Sequence, residues 1–318
     1  MHRNYKIALA TLALLAIALL ALSPDSPLRP LPFNDTPKID RPPIETKRPN
    51  PGIVKIGHRG TTMFGPENTL PALEKAIELG LEYVEIDVRY TRNGVPVLMH
   101  DATLDRTTNG AGKVDEATLS ELKQLDAGYW FEDEFIGTRV PTLEEALIAL
   151  RGRACIFWDT KVNTDAALLA ATIELFKRYG YDRNCLLIRS GALGSDADPT
   201  MPRQITKLWP DAPLVPIVKS PEEISAILSR FPNIRAVTVF RNKATPELVD
   251  AAHAEGLLVM TTTLGQADHP RVYQAMIEVG VDLLMLDHID SFYTYLETGN
   301  IDTPPSEIPK NAEYLQAD

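Results

Sequence analysis

Two short stretches, IGHRG at residues 56–60 and PENT at residues 66–69, contain residue types suited to acid–base chemistry on an anion. His58 can accept or return a proton near neutral pH. Arg59, its neighbour, carries a permanent charge and a fork of donors that suits a phosphate. A buried strand gains nothing from two such side chains at its end. The stretch therefore predicts a site that holds an anion and moves a proton.

Three carboxylates also lie at the ends of apolar runs. Glu85 and Asp87 are two residues apart in YVEIDV, so they share one face of a strand, and Asp159 lies near the end of CIFWDT. Gathered carboxylates repel one another unless a cation neutralises them, and all-oxygen ligands suit Mg²⁺ or Ca²⁺ rather than zinc. The alternative is that Glu85 and Asp87 pair with nearby Arg or Lys side chains. The pattern favours a divalent cation.

A second histidine, His100, ends the run VPVLMH. Two imidazoles across a small site can supply the base and the acid of one displacement, whereas a single one is more often a hydrogen-bonded structural residue. In PENT, Asn68 or Thr69 can cap the helix that follows. Glu67 either orients His58 through a hydrogen bond or is only a favourable charge in the first helical turn, and the residues leave both interpretations open.

The elements that must position these residues alternate along the chain. From Ile53 onward, short apolar runs alternate with amphipathic stretches, several of which begin with Ser or Thr and Pro and end in Gly, as capped helices do. This alternation predicts an α/β fold of parallel strands joined by helices. A closed (β/α)8 TIM barrel is the first choice and an open doubly wound sheet the second. In a barrel, the strand ends described above meet at the C-terminal rim.

Nine strand-like runs compete for eight barrel places. The link RYTRNG is too short for a crossover helix, so we expect the chain to return there in extended form, with a turn at Asn93-Gly94. One run is therefore either peripheral or part of a neighbouring strand.

The composition is that of a globular protein, with 44% hydrophobic residues and a formal net charge of −11 over 318 residues. The acidic balance argues against a nucleic-acid partner, because nucleic-acid binders usually have a basic face. It also gives no general attraction to anionic lipid, so any pull on a negative substrate must be local. Oligomeric state leaves no sign in the sequence.

Residues 1–22 are predicted to be a signal anchor or a signal peptide. A basic start, MHRNYK, precedes an apolar run of about 16 residues, shorter than the about 20 residues of a comfortable bilayer span. The positive flank would stay in the cytoplasm. Pro24 is unfavourable next to a cleavage point, which favours an uncleaved N-terminal hydrophobic helix. We therefore expect a periplasmic or cell-envelope protein attached to the membrane through this segment, or a secreted one if the leader is cleaved.

The rest of the chain divides into three parts. Residues 23–50 are dense in proline and predict an extended linker. Residues 51–292 form the predicted barrel domain, and residues 293–318 form a C-terminal tail. Cys155 and Cys185 both lie in strand-like runs. An extracytoplasmic location permits a disulfide, but we interpret both residues as free buried thiols.

Taken in order, several motifs resemble the glycerophosphodiester phosphodiesterase family: HRG followed by PENT, EIDV, VPVLMHD, LDRTTNG, LDAGYWF and VPTLEEAL. The resemblance is close over residues 53–161 and continues in the strand–helix rhythm and in the closing GVDLLMLD. Several motifs in order are a stronger signal than one. The resemblance implies a TIM barrel with a small insertion after the third strand, at about residues 102–138.

The resemblance also implies roles for the site residues. The three carboxylates would hold a divalent metal, and the two histidines would act as acid and base. Arg59 and Lys161 would bind phosphate oxygens, with Glu67 and Asn68 as supporting residues. The implied reaction cleaves a glycerophosphodiester to glycerol 3-phosphate and an alcohol.

Two positions depart from the family pattern. The third metal position is often glutamate, where this chain has the shorter Asp159. A late WT-N pattern usually supplies an aromatic wall, but residues 260–266 read MTTTLGQ, so Thr261 replaces the tryptophan and alters the pocket for the alcohol or glycerol. Two alternatives to glycerophosphodiester hydrolysis stay open: a phospholipase-D-like or cyclising lyase activity on lysophospholipids, and a non-catalytic envelope module that binds phosphodiesters.

Overall fold

A computed structural model describes residues 52–161, 165–181, 184–192, 200–232 and 234–302. The predicted leader, the proline-rich linker and residues 303–318 of the predicted tail lie outside these ranges. Within them, no helix combines the length and the apolar character needed to cross a membrane.

Eight parallel strands close into a TIM barrel, as predicted. The strands of the described residues are β1 (Val54–Gly57), β2 (Tyr83–Tyr90), β3 (Pro96–Leu98), β4 (Cys155–Thr160), β5 (Leu186–Ala192), β6 (Leu214–Val218), β7 (Ala236–Val239), β8 (Leu258–Thr263) and β9 (Leu283–Leu286). β1 pairs with both β2 and β9. The barrel order is therefore β1-β2-β4-β5-β6-β7-β8-β9, and the sheet is not an open doubly wound one.

β3 lies outside the barrel. It runs antiparallel to β2, with Val88 opposite Leu98, after a turn in which the Gly94 N–H donates to the Thr91 carbonyl. Gly94 has a φ of 78°, which glycine adopts readily. The peripheral position predicted for one of the nine runs is thus confirmed. Because β3 runs back along the end of β2, it brings His100 to the rim from outside the closed sheet.

Helices follow most barrel strands. Those of the described residues are α1 (Leu70–Glu78), α2 (Leu119–Leu122), α3 (Leu143–Leu150), α4 (Ala166–Arg178), α5 (Thr200–Leu208), α6 (Pro221–Arg230), α7 (Pro246–Ala254), α8 (Pro270–Val279) and α9 (Ile289–Thr298). Their ends follow the predicted chemistry: Thr142 and Glu145 form a reciprocal capping box at α3, and Gly280 ends α8 in the left-handed conformation. α9 continues across the domain boundary predicted at residue 292.

The strands are apolar because helices cover the outside of the sheet and side chains fill the inside. Every residue of β6 and of β9 is buried, as expected for parallel strands with two covered faces. Each fully buried Leu, Ile or Val side chain contributes about 1.5–3 kcal/mol relative to exposure. This packing fixes the strand ends that carry the polar residues.

The insertion at about residues 102–138 has a small apolar core of its own. Leu104, Val114 and Leu122 pack with Met99 and Val140, which lie on the flanking chain. The core joins the insertion to the segment after β3. It therefore holds the insertion next to His100.

Cys155 and Cys185 form a disulfide, so the interpretation as free thiols is wrong. Cys155 begins β4 and Cys185 directly precedes β5, and these strands are parallel neighbours with Ile156 opposite Leu186. The two Cα atoms are 4.6 Å apart, a separation that a disulfide spans. The sequence places both cysteines in strands but contains no local sign that the strands are adjacent.

Candidate active site

The carboxyl ends of the strands surround a cavity of about 820 Å³. Its lining includes all seven residues predicted to bind metal or phosphate or to transfer protons: His58, Arg59, Glu85, Asp87, His100, Asp159 and Lys161. The fold thus brings together residues that are distant in the sequence, as a barrel rim does.

Glu85, Asp87 and Asp159 form a compact group. One carboxylate oxygen from each lies within 4.8 Å of the others. The first two project from β2, and the register of β2 against β4 sets Asp87 beside Asp159. Three oxygen donors at this spacing fit Mg²⁺ or Ca²⁺.

The electrostatics of this group also fit a cation. Burial and the charges of Asp87 and Asp159 raise the pKa of Glu85 well above its ordinary value. Burial has the same tendency at Asp87, but Lys161 and Arg59 outweigh it and lower the pKa of that carboxyl. Lys161 Nζ lies 2.9 Å from Asp87 and 3.0 Å from Asp159. Glu85 is therefore a carboxyl whose charge its neighbours compensate poorly, and a bound cation would supply the missing positive charge.

Arg59 is buried beside the carboxylates of the site. Its guanidinium lies 3.2 Å from Glu67 and 3.5 Å from Asp87. Burial acts to lower the pKa of Arg59, but Glu67, Asp87 and Glu85 together raise it above the ordinary value. The backbone N–H of Arg59 donates to Glu85 at 2.7 Å. A φ of 48° at this residue is rare outside glycine, and such backbone is typical of functional sites.

Gly57 and Gly60 serve the turn around Arg59 and the packing of α1. A Cβ at Gly57 would lie 2.2 Å from the carbonyl oxygen of Gly60, and one at Gly60 would lie 2.8 Å from Cβ of Ala72. Both positions therefore lack room for a side chain because of close contacts inside the protein.

His58 is held by a residue that the sequence analysis missed. Its Nδ1 lies 2.8 Å from Oδ1 of Asp287, and both side chains are buried. Asp287 also accepts hydrogen bonds from the Thr62 hydroxyl at 2.6 Å and the Gly265 N–H at 2.9 Å. Burial acts to raise the pKa of Asp287, but His58 and these donors lower it to about 2. Asp287 could have been found from the predicted closure of the barrel, because closure sets the residues after β1 and β9 side by side.

A second buried carboxylate fixes the loop that presents Asp287. Asp268 Oδ2 accepts from the backbone N–H groups of Asp287 and His288 at 2.5 and 2.6 Å. Its Oδ1 accepts from the Tyr273 hydroxyl at 2.5 Å. Burial and the charge of Asp287 raise the pKa of Asp268 to about 8. Asp268 thus positions Asp287 through its backbone.

His100 has a carboxylate partner as well. Its Nδ1 lies 2.7 Å from Oδ1 of Asp101, and Arg89 donates to the His100 carbonyl at 2.8 Å. His100 and Arg106 lower the pKa of Asp101. In both histidines a carboxylate engages Nδ1, which directs Nε2 the other way. Asp101 follows His100 directly in VPVLMHD, so its identity was visible in the sequence.

Glu67 does not have either of the roles considered for it. Arg106, from the insertion, forms two hydrogen bonds with Glu67 at 2.7 and 2.8 Å and two with Asp101 at 2.7 and 3.0 Å. Burial acts to raise the pKa of Glu67, but Arg106 and Arg59 lower it. The helix begins at Leu70, after the Glu67 position. Glu67 therefore connects Arg59 with the insertion rather than orienting His58.

Asn68 supports the acidic group directly. Its amide donates to Asp87 Oδ2 at 2.7 Å, and its carbonyl oxygen accepts from the Asp87 N–H at 3.1 Å. Thr69, not Asn68, is the N-cap residue of α1, and its side chain makes no capping bond. Asn68 thus orients one of the predicted metal ligands.

The remaining cavity lining comes from later strands, and the motifs did not predict it. Arg189, at β5, lies 3.2 Å from Asp159, and Arg241 follows β7. The Thr261 hydroxyl donates to the Val239 carbonyl at 2.8 Å and is fully buried. Thr262 lines the cavity instead. The expectation that Thr261 alters the pocket is therefore wrong by one residue, since neighbouring side chains of a strand face opposite ways.

Residues 58–291 match the glycerophosphoryl diester phosphodiesterase family. This chain belongs to that family. A glycerophosphodiester phosphodiesterase of Caldanaerobacter subterraneus subsp. tengcongensis is 29% identical over 252 residues, which cover 77% of this chain and 98% of that protein. As a family member with relatives of this activity, the chain is a phosphoric diester hydrolase.

Two solved structures share the family fold. The glycerophosphodiester phosphodiesterase of Agrobacterium tumefaciens has 31% identity and a TM-score of 0.66, over 76% of this chain and 100% of that one. A phosphodiesterase of Oleispira antarctica, solved in complex with the product sn-glycerol-3-phosphate, has 26% identity and a TM-score of 0.68, over 77% of this chain and 96% of that one. The family supports glycerophosphodiester phosphodiesterase activity for this chain.

Proposed function

We propose that this enzyme hydrolyses glycerophosphodiesters to glycerol 3-phosphate and an alcohol, with a divalent cation and a histidine acid–base pair. One observation carries the proposal: His58 and His100, each bonded to its own carboxylate, line the same cavity as three carboxylates within 4.8 Å of one another. The glycerol-3-phosphate complex of the Oleispira antarctica relative supports this substrate class.

Glu85, Asp87 and Asp159 would hold the cation, Mg²⁺ or Ca²⁺. When bound, such an ion polarises a phosphate oxygen and stabilises its developing charge. Arg59 and Lys161 are fixed cations beside the same carboxylates and supply further stabilisation of negative charge on the phosphate oxygens. Because both side chains are already held by ion pairs, little ordering is needed when the substrate binds.

The two histidines would move the protons. One imidazole removes the proton of the attacking nucleophile, and the other protonates the leaving alkoxide. Asp287 stays ionised at neutral pH because its pKa is about 2, so it holds a proton on Nδ1 of His58 and leaves Nε2 for the exchange. Asp101 has the same relationship with His100.

The decisive experiment assays glycerophosphodiesters and lysophospholipids with Mg²⁺, with Ca²⁺ and with a chelator, and follows the products by phosphorus NMR. We expect divalent-dependent release of glycerol 3-phosphate. His58→Ala and His100→Ala should each lose most of the turnover without unfolding, while His253→Ala, an exposed histidine on α7, should retain it. Full activity with chelator would contradict the metal role, and a cyclic phosphate product would indicate a lyase.

We also propose that the protein works outside the cytoplasm, attached to the membrane through the segment at residues 1–22 or secreted. The Cys155–Cys185 disulfide supports this location, because such bonds persist in oxidising compartments. Cell fractionation combined with thiol alkylation tests it. Recovery of the protein in the cytoplasm with both thiols reduced would contradict the proposal.

A further inference from the structure

One side of the cavity differs in charge from the side that carries the three carboxylates. In the barrel order, β7 stands four places from β2, which is the opposite side of an eight-stranded ring. The short helix Arg241–Lys243 follows β7. We call five of the residues that line this side the far wall: Phe240, Arg241, Asn242, Thr262 and Gln266; the apolar Leu264 and Ala267 also line the cavity next to them. Hydrogen-bonding groups and a cation are present there, but no carboxylate.

The cations near the three carboxylates already have acidic partners. Arg59 is paired with Glu67 and Asp87, and Lys161 with Asp87 and Asp159. Together with a bound divalent ion they are sufficient for the single negative charge of a phosphodiester. Arg241 is different, since it is exposed to the cavity and forms no ion pair within the described part of the chain. Among the described residues nothing neutralises its positive charge, which can therefore serve a ligand.

We propose that the far wall binds the alcohol portion of the diester and that Arg241 selects alcohols with an anionic group of their own. That group is a carboxylate or a second phosphate, both of which suit a guanidinium. This inference rests on the proposed function, because a phosphate held between the carboxylates and the histidines leaves one ester substituent directed across the cavity. About 820 Å³ is enough space for the phosphate and both substituents.

The other far-wall residues agree with a polar, anionic alcohol and disagree with a quaternary ammonium group. The Asn242 and Gln266 amides and the Thr262 hydroxyl can bond to alcohol and phosphate oxygens. A quaternary ammonium group is usually recognised by several aromatic faces. The far wall has a single aromatic residue, Phe240. Its neighbour in the chain, Arg241, carries a positive charge that would repel the ammonium group. A choline headgroup therefore has no matching surface there.

Two pairs of substrates test the proposal, because the members of each pair differ by one anionic group. Glycerophosphoserine differs from glycerophosphoethanolamine by a carboxylate, and glycerophosphoinositol 4-phosphate differs from glycerophosphoinositol by a phosphate. We expect kcat/KM to be about tenfold higher for the anionic member of at least one pair, as one charge-assisted hydrogen bond predicts. The pair that shows the effect identifies the group.

Arg241→Gln should reduce that ratio to about one. Lys243→Gln is the matched control, since it removes the same charge from the same short helix at a position that does not line the cavity. An unchanged ratio in Arg241→Gln would overturn the inference. An equal reduction of the ratio in both variants would also overturn it, because that result would indicate a general attraction of anions. A preference for glycerophosphocholine would overturn it as well.

Failure of the proposed function has a different signature. If the unmodified protein hydrolyses none of the four substrates with either cation, the proposed function is wrong and this inference with it. If it hydrolyses them with no preference for the anionic members, only the selection by Arg241 is wrong. Arg241 and Lys243 are both exposed, and thermal unfolding would verify that the two variants fold normally.

Discussion

His58 and Asp287 form a buried hydrogen-bonded pair, with 2.8 Å between Nδ1 and the carboxylate, although they are 229 positions apart in the chain. They follow β1 and β9, the strands that close the barrel. His100 has its partner in the next residue, Asp101. In both histidines a carboxylate therefore holds Nδ1. Barrel closure brings the partner of His58 into place, whereas the partner of His100 is its neighbour in the chain.

Replacement of Asp287 should reduce catalysis more than stability. In Asp287→Asn, an amide NH₂ group replaces one carboxylate oxygen. This donor would face another donor, either the Gly265 N–H or the His58 and Thr62 groups, and the negative charge beside His58 is lost. We expect kcat to fall about 10²-fold or more, with a fold retained by circular dichroism. The matched control is Asp250→Asn, on the exposed side of α7. Activity within twofold of the unmodified enzyme would show that Asp287 is only structural.

The same carboxylate should contribute to the dependence of stability on acid. Its pKa is lowered to about 2 in the folded protein, against about 3.9 when unfolded. A depressed pKa stabilises the fold above the unfolded value, and this contribution is lost as the pH falls from about 4 to about 2. Urea unfolding should show that the unmodified protein loses about 2 kcal/mol more than Asp287→Asn over this range. Parallel curves for the two proteins would contradict the assignment.

Substitution of Asp159 separates the metal role from general charge. Asp159→Asn should raise the divalent-ion concentration for half-maximal activity by about tenfold or more, because it removes one charged oxygen ligand. Asp159→Glu should recover most of the affinity, since the family often has glutamate at this position. Calorimetric titration with Mg²⁺ and Ca²⁺ gives the affinity without turnover. Asp115→Asn, an exposed change in the insertion, should leave it unaltered, and equal affinity in all variants would exclude Asp159 as a ligand.

Arg106 should matter for both stability and turnover. Arg106→Gln leaves the buried Glu67 with fewer donors and frees Asp101, the partner of His100. We expect a loss of about 2 kcal/mol in the free energy of unfolding and a lower kcat. Arg92→Gln is the control, because the exposed ion pair of Arg92 with Glu121 should contribute less than about 1 kcal/mol. If the two variants are equally stable, the bridge formed by Arg106 is unimportant.

The barrel and six of its predicted cavity residues could be derived from the sequence for one physical reason, and the role of Lys161 followed from the family resemblance. Each of these residues lies at or near the end of an apolar run, and parallel strands in a barrel bring all such ends to one rim. What the sequence did not contain was the pairing between distant strands. The His58–Asp287 bond and the Cys155–Cys185 disulfide both depend on which strands are neighbours and in what register, and no local pattern records this.

The smaller errors have local causes. The two roles left open for Glu67 involved only nearby parts of the chain, but its partner Arg106 is brought close by the packing of the insertion. Thr261 was placed in the pocket by comparison with a motif, and a shift of one residue along a strand reverses the face of a side chain. The structure places Thr262 there.

The antiparallel strand β3 has a consequence for how this site can change. His58 directly follows a strand of the closed barrel, and the three carboxylates lie on two other strands of it. His100 reaches the cavity on an appendage that the barrel does not need for closure. Evolution can therefore change the surroundings of His100 by exchanging a peripheral loop, whereas His58 and the three carboxylates remain tied to the strands of the closed sheet.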